Sequence, residues 1–174
     1  HRLGYRYKKP KLLPGKAPAP EVQEDFVASY KKLEENKGEH DAILFMDATH
    51  PQHNPVLGGG WIKRERCFPL KSNTGRRRLN INGVVDVETM HAVIRYDDTI
   101  DAESTIALFA QIEATYPKAA TITIFCDNAR YYRSKAVRAY LENSRIDLQF
   151  LPPYAPNLNL IERFWKFFKR QVLY

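Results

Sequence analysis

Hydrophobic and polar positions along this chain fall into short blocks with two distinct periods. Residues 21–36 place Phe26, Tyr30 and Leu33 at i, i+4 and i+7 behind an acidic first turn, which predicts an amphipathic helix packed on a core. Residues 42–46 are an unbroken apolar run, Ala-Ile-Leu-Phe-Met, that stops at Asp47. The run is too short for a helix and predicts a buried strand. Residues 61–70 and 79–87 predict the next two strands of a meander, and residues 90–96 a further one. Residues 101–116 return to helical spacing through Ile106, Phe109, Ile112 and Tyr116, with Pro117 as the stop. Residues 121–126, Thr-Ile-Thr-Ile-Phe-Cys, repeat the buried-strand pattern and end at Asp127. Residues 134–143 predict a short helix that buries Val137, Tyr140 and Leu141, and residues 146–151 a strand. Residues 158–172 predict a last helix with Leu158, Ile161, Trp165 and Phe168 on one face and Glu162, Lys166 and Lys169 or Arg170 on another.

A run of strands followed by alternating helices and strands predicts an α/β fold, a mixed sheet with helices on its faces. Composition agrees: 174 residues with 44% hydrophobic content suit one domain with a real core and exclude a disordered chain. The two cysteines, Cys67 and Cys126, lie far apart and form no zinc or disulfide pattern. No stretch reads as a signal peptide or a membrane span, so the expected location is the cytoplasm. The chain begins at His1 in mid-pattern, as a piece of a longer protein would.

The net charge of +7 predicts a polyanionic partner. Residues 1–20 hold six basic residues, four prolines and no acid. They form an extended basic arm ahead of a globular unit at 21–174, either a solvated linker or a strap along a DNA backbone. A second basic cluster, Arg76-Arg77-Arg78, sits in the turn before the strand at 79–87.

Three acids stand where chemistry is expected. Asp47 and Asp127 each end a predicted strand, the place where α/β sheets put their sites. Glu162 opens the last helix, behind Leu151-Pro152-Pro153-Tyr154-Ala155-Pro156, and Asn157 or Asn159 is expected to cap that helix and so fix Glu162. Singly, each acid also reads as ordinary: a turn residue, a helix cap and a surface charge. Asp127 and Glu162 have 34 residues between them.

Cys126-Asp127-Asn128-Ala129, followed at that spacing by Pro152-Pro153-Tyr154-Ala155-Pro156-Asn157-Leu158-Asn159-Leu160-Ile161-Glu162, resembles the second and third catalytic blocks of DDE transposases, specifically the bacterial insertion-sequence branch of the mariner superfamily. The resemblance implies a ribonuclease-H-like fold in which Asp47, Asp127 and Glu162 are the catalytic, metal-holding triad. It implies two Mg²⁺ ions, with Mn²⁺ as a substitute, Asp47 shared by both and Asp127 and Glu162 each holding one. Crowded carboxylates repel unless cations bind, and hard divalent ions with oxygen ligands meet that need. Two such ions about 4 Å apart serve an in-line phosphoryl displacement. The implied activity is cut-and-paste transposition: nicking at transposon ends, then attack of the freed 3′-OH on target DNA. The implied partners are double-stranded DNA and a second copy in a homodimer, in a bacterial, nucleoid-associated setting.

Around the triad, the readings stay open. Asn128 orients Asp127, binds a phosphate, or caps a helix. Arg130, Arg133, Arg163 and Lys166, with Arg76, Arg77 and Arg78, hold DNA phosphates or are solvated charge. Trp61 stacks on a flipped base or sits in the core. The chain departs from the family pattern at Ala48, where an acid often follows the first Asp, and at Tyr132, where a His often stands. A rival site is Asp47-x-x-His50-x-x-His53, whose donors suit zinc or iron, although Pro51 works against a helix that would align them. Rival functions are a ribonuclease-H-type nuclease without strand transfer and a domesticated, non-catalytic DNA-binding module.

Overall fold

A computed structural model describes residues 19–51, 61–64, 67, 69 and 78–173. Five strands, β1 (Ala42–Thr49), β2 (Asn80–Asp86), β3 (Ala92–Asp97), β4 (Ile122–Cys126) and β5 (Ile146–Phe150), form one sheet in the order β3-β2-β1-β4-β5. β1, β2 and β3 pair antiparallel as a meander, whereas β4 and β5 join β1 in parallel. Four α-helices flank the sheet: α1 (Pro20–Asn36), α2 (Ala102–Thr115), α3 (Lys135–Leu141) and α4 (Ile161–Phe168). The α/β architecture expected from the hydrophobic pattern is the one observed.

Because side chains alternate across a strand, the sheet has two cores. Leu44, Met46, Val84, Ile122 and Ile124 face α2 and α3, against Leu108, Phe109, Ile112 and Val137. Ile43, Phe45, Ile81, Val85 and Phe125 face the other way, against Ile161 and Trp165 of α4. On that second face α1 supplies Phe26, Tyr30 and Leu33, the three residues whose spacing predicted the helix. The Phe26 ring meets Phe125 edge-on at 5.3 Å, and Phe125 stacks on Phe45 at 5.3 Å. The α2 terminus is fixed locally: the Asp101 carboxylate accepts from the Glu103 and Ser104 N–H groups, and the Ser104 hydroxyl accepts from the Asp101 N–H.

Several expected boundaries shift. Residues 61–64 are not a strand, and among the described residues the meander passes from β1 to β2. β1 continues past Asp47 to Thr49 because its backbone still pairs with β2, Asp47 opposite Gly83 and Thr49 opposite Ile81. Ser134 caps α3 from outside, its hydroxyl accepting from the Val137 N–H. The last helix is broken into a 3₁₀ turn at Pro156–Leu158, α4 proper, and a π-helical turn at Lys169–Leu173.

Gly83 lies opposite Asp47 and has no room for a side chain. An added Cβ would stand 3.0 Å from the Val93 carbonyl oxygen and 3.2 Å from the Trp165 ring. Gly83→Ala is therefore expected to push Trp165 and α4 off the sheet and cost about 1–3 kcal/mol, measured by urea unfolding.

Candidate active site

Strand register brings the first two acids together. Phe45 pairs with Phe125 across parallel β1 and β4; Asp47 lies two residues further on within β1, and Asp127 two residues further on, just past the end of β4. Both carboxylates thus leave the sheet on the face covered by α4, one pleat beyond two stacked rings. Glu162 enters from the first turn of α4. All three line one cleft of about 490 Å³, walled by Asn128, Ala129, Asn159 and the loop from Leu151 to Ala155.

Each acid is held differently. Asp127 is exposed and its Oδ1 accepts the Ala129 N–H at 3.1 Å, which folds the chain away from the strand end. Asn128 does not cap a helix. Its amide donates to the Leu151 carbonyl at 2.8 Å and its Oδ1 accepts from Arg133 at 2.5 Å. The Arg133 guanidinium lies 3.8 Å over the Phe150 ring. Asn128, Arg133 and Phe150 therefore clamp the ends of β4 and β5, and Asp127 sits at the edge of that clamp.

The expected caps of the last helix are also corrected. Neither Asn157 nor Asn159 caps α4; its N-cap is Leu160, with no side-chain hydrogen bond. The Asn157 amide donates to Gln23 of α1, and the buried Asn159 amide donates to the Met46 carbonyl of β1 at 3.3 Å. Tertiary partners have outcompeted the local cap. Tyr154, on the cleft wall, has φ of 60°, a left-handed conformation that is rare for a side chain of this size.

Charge crowding is visible at Asp47. Burial pushes its carboxyl up to about 7, the Asp127 charge adds to the rise and Glu162 adds less, while the Ala48 N–H and Lys169 oppose it. Burial also raises Glu162, again with Lys169 opposing. Lys169 was not among the expected site residues. It stands seven positions after Glu162, two turns on along the same helix face, and lines a second cavity of about 340 Å³ with Asp47, Thr49, Glu162, Trp165 and Lys166. Among the described residues no three His, Cys, Asp or Glu side chains are yet drawn together as a coordination shell.

The remaining candidates scatter. Arg130 is exposed on a 3₁₀ turn (Arg130–Arg133), and Arg163 and Lys166 are exposed on α4. Arg78 is exposed just before β2, while Arg76 and Arg77 lie outside the described residues. Trp61 is fully exposed, so the core reading fails for it. The rival site gains nothing: the His50 ring pairs with Asn80 at 2.9 Å, and His53 lies outside the described residues. Of the two departures, Tyr132 is buried in the α2-side core, and Ala48 is half-buried within β1, opposite Asn82.

The model of the DDE superfamily endonucleases matches residues 42–174, from the first residue of β1 to the chain end. The chain belongs to that family. Its Asp47, Asp127 and Glu162 all fall within the matched segment. A relative, the insertion element IS630 uncharacterized 39 kDa protein of Shigella sonnei, is 26% identical over 148 residues, covering 84% of this chain and 43% of that protein. The Mos1 mariner paired-end complex with Mn superposes with a TM-score of 0.69 at 15% identity, covering 95% of this chain and 53% of the other. The Mos1 strand transfer complex gives 0.65 at 15% identity, over 95% and 52%. At these identities the structural likeness is one of fold, and that fold is the ribonuclease-H-like mixed sheet. The chain spans about half the length, or less, of these relatives.

Proposed function

We propose that residues 21–174 are the catalytic domain of a cut-and-paste DNA transposase, with Asp47, Asp127 and Glu162 as its active acids. One observation carries the reading. One acid near the end of β1, one just past the end of its parallel neighbour β4, and a third from the helix that covers that face line one open cleft in a chain of the DDE family. A binding module for a phosphate backbone gains nothing from three carboxylates in its cleft, which disfavours the non-catalytic alternative.

The donor set fits a hard divalent cation. The cleft offers three carboxylates, those of Asp47, Asp127 and Glu162, beside the amide side chains of Asn128 and Asn159. Among the described residues no cysteine or histidine lines it. Mg²⁺, or Mn²⁺ as in the related Mos1 complex, fits that oxygen set, and two ions are expected, with Asp47 common to both. Bound there, the cations would activate the attacking oxygen and stabilise the leaving one. The chain's own part is to present the acids on a rigid sheet end and to keep Lys166 and Lys169 beside them for phosphate oxygens. The expected substrates are transposon-end duplex and target DNA, with the protein acting as a homodimer.

The deciding experiment incubates the full-length protein with labelled transposon-end DNA and Mg²⁺ or Mn²⁺. New 3′-OH ends that join to a plasmid support the reading. Cleavage without joining would leave a ribonuclease-H-type nuclease, and neither product would leave a binding module.

Recognition is expected to be shallow in this chain alone. Basic residues cluster along the sequence at 1–20, at Arg76-Arg77-Arg78 and around Glu162, and are expected to meet phosphates rather than base edges. Competition of end DNA against random duplex should show little preference, with affinity falling steeply as salt rises. Replacing Arg76, Arg77 and Arg78 by alanine should weaken all sequences alike and flatten the salt slope. A salt-resistant preference for one sequence would contradict this division of labour.

A further inference from the structure

We propose that Asn159 is the positioning residue that sets Glu162 against Asp47, by latching the start of α4 onto β1. This rests on the reading of the cleft as a divalent-cation site. Asn159 is 5% exposed and touches both sides of the site through its own atoms. Its side-chain amide donates to the carbonyl of Met46, the residue immediately before Asp47. Its backbone carbonyl accepts the N–H of Glu162 at 3.2 Å. One residue thus joins the peptide that carries the first acid to the peptide that carries the third.

Nothing else described does this locally. α4 begins without a side-chain cap, so its first turn is held by the packing of Ile161 and by no side-chain hydrogen bond of its own. The neighbouring Asn157 ties the same loop to α1, away from the acids. The amide orientation is fixed by chemistry: only the NH₂ end can donate to a carbonyl, which turns Oδ1 away from Met46. That Oδ1 lacks a partner among the described residues, and a buried unpaired acceptor costs about 1–3 kcal/mol. Residues that orient ligating side chains typically govern metal affinity by about 10- to 100-fold when removed.

The test measures Mn²⁺ affinity by calorimetry and by the Mn²⁺ electron paramagnetic resonance signal, well below the melting temperature of every variant. Asn159→Ala is the main variant; Asn159→Ser, which leaves a smaller void, serves if alanine impairs folding as judged by circular dichroism. Each is made in the wild-type chain and in Glu162→Gln. The expected result is a Kd at least tenfold weaker in the wild-type background and changed less than about threefold in Glu162→Gln, because the latch acts through Glu162. Equal losses in both backgrounds would mean that Asn159 acts on the cation directly and overturn the latch. A lower melting temperature with unchanged Kd would make Asn159 merely structural and overturn it too. A wild-type protein that binds no Mn²⁺ would overturn the cation-site reading and this inference with it, whereas wild-type binding with unaltered variants overturns only the latch.

Discussion

Asp47→Asn, Asp127→Asn and Glu162→Gln are each expected to lower divalent-ion-dependent DNA cleavage by roughly 10³-fold or more while leaving the fold intact. A cation's share of charge stabilisation in phosphoryl displacement is several kcal/mol, and each 1.36 kcal/mol is a factor of ten in rate. The substitutions remove charge and almost no volume, so packing gives no reason for loss of structure. Asp127 and Glu162 are exposed, and Asp47 lies at the sheet end beyond the Phe45–Phe125 stack. Their effects should be far from additive, because removing any one acid disables the same site. Gel assays of end cleavage, beside circular dichroism spectra of each variant, check this. Wild-type rates in any one of the three would take that residue out of the site. Lys169→Ala offers a contrast: it removes the cation that opposes the raised pKa of Asp47 and Glu162, but no donor, and should cost less than any of the acids.

The elements that were legible from sequence are those whose stability is local or set by burial. Apolar runs at 42–46 and 121–126 announced β1 and β4, and the i, i+4, i+7 aromatics announced α1, since burial imposes these patterns directly. Each of these two apolar runs stops at an Asp, yet only β4 ends there, since β1 runs on through Asp47 to Thr49. What stayed hidden was decided between distant segments. β1 outruns its apolar stretch because β2 supplies the pairing, which no local pattern encodes. Asn159 reads as a helix cap in sequence, yet its amide meets a carbonyl 113 positions away. Lys169 had a signal, its seven-residue spacing from Glu162, but spacing alone could not tell it from Arg170 until the helix widened into a π turn. Tyr154 carried none, since a left-handed tyrosine is set by the loop around it.

Asp47→Asn should also stabilise the metal-free protein at neutral pH, even as it destroys the site. The folded state holds Asp47 with a pKa of about 7, against an ordinary value of 3.8. Folding therefore favours the protonated form. The sign follows: the contribution of Asp47 to stability is complete below about pH 4 and is lost as pH climbs towards 7. A shift of this size corresponds to at most about 4 kcal/mol, and partial exposure of the side chain screens that to about 1–2 kcal/mol. Asparagine cannot ionise, so the variant keeps what the wild type loses. In buffer with a chelator, the two proteins should melt together at pH 4 and diverge by pH 7.5, the variant higher by about 5 °C. Addition of Mg²⁺ or Mn²⁺ at pH 7.5 should reverse the order, because on the proposed reading a cation would bind the native wild type through Asp47, a donor the variant lacks. Melting curves at four pH values, with and without Mn²⁺, check both halves. A variant that melts below wild type at pH 7.5 without metal would mean that the Asp47 charge is relieved by the fold itself, with Lys169 the nearest means, and that the site needs no cation to be stable.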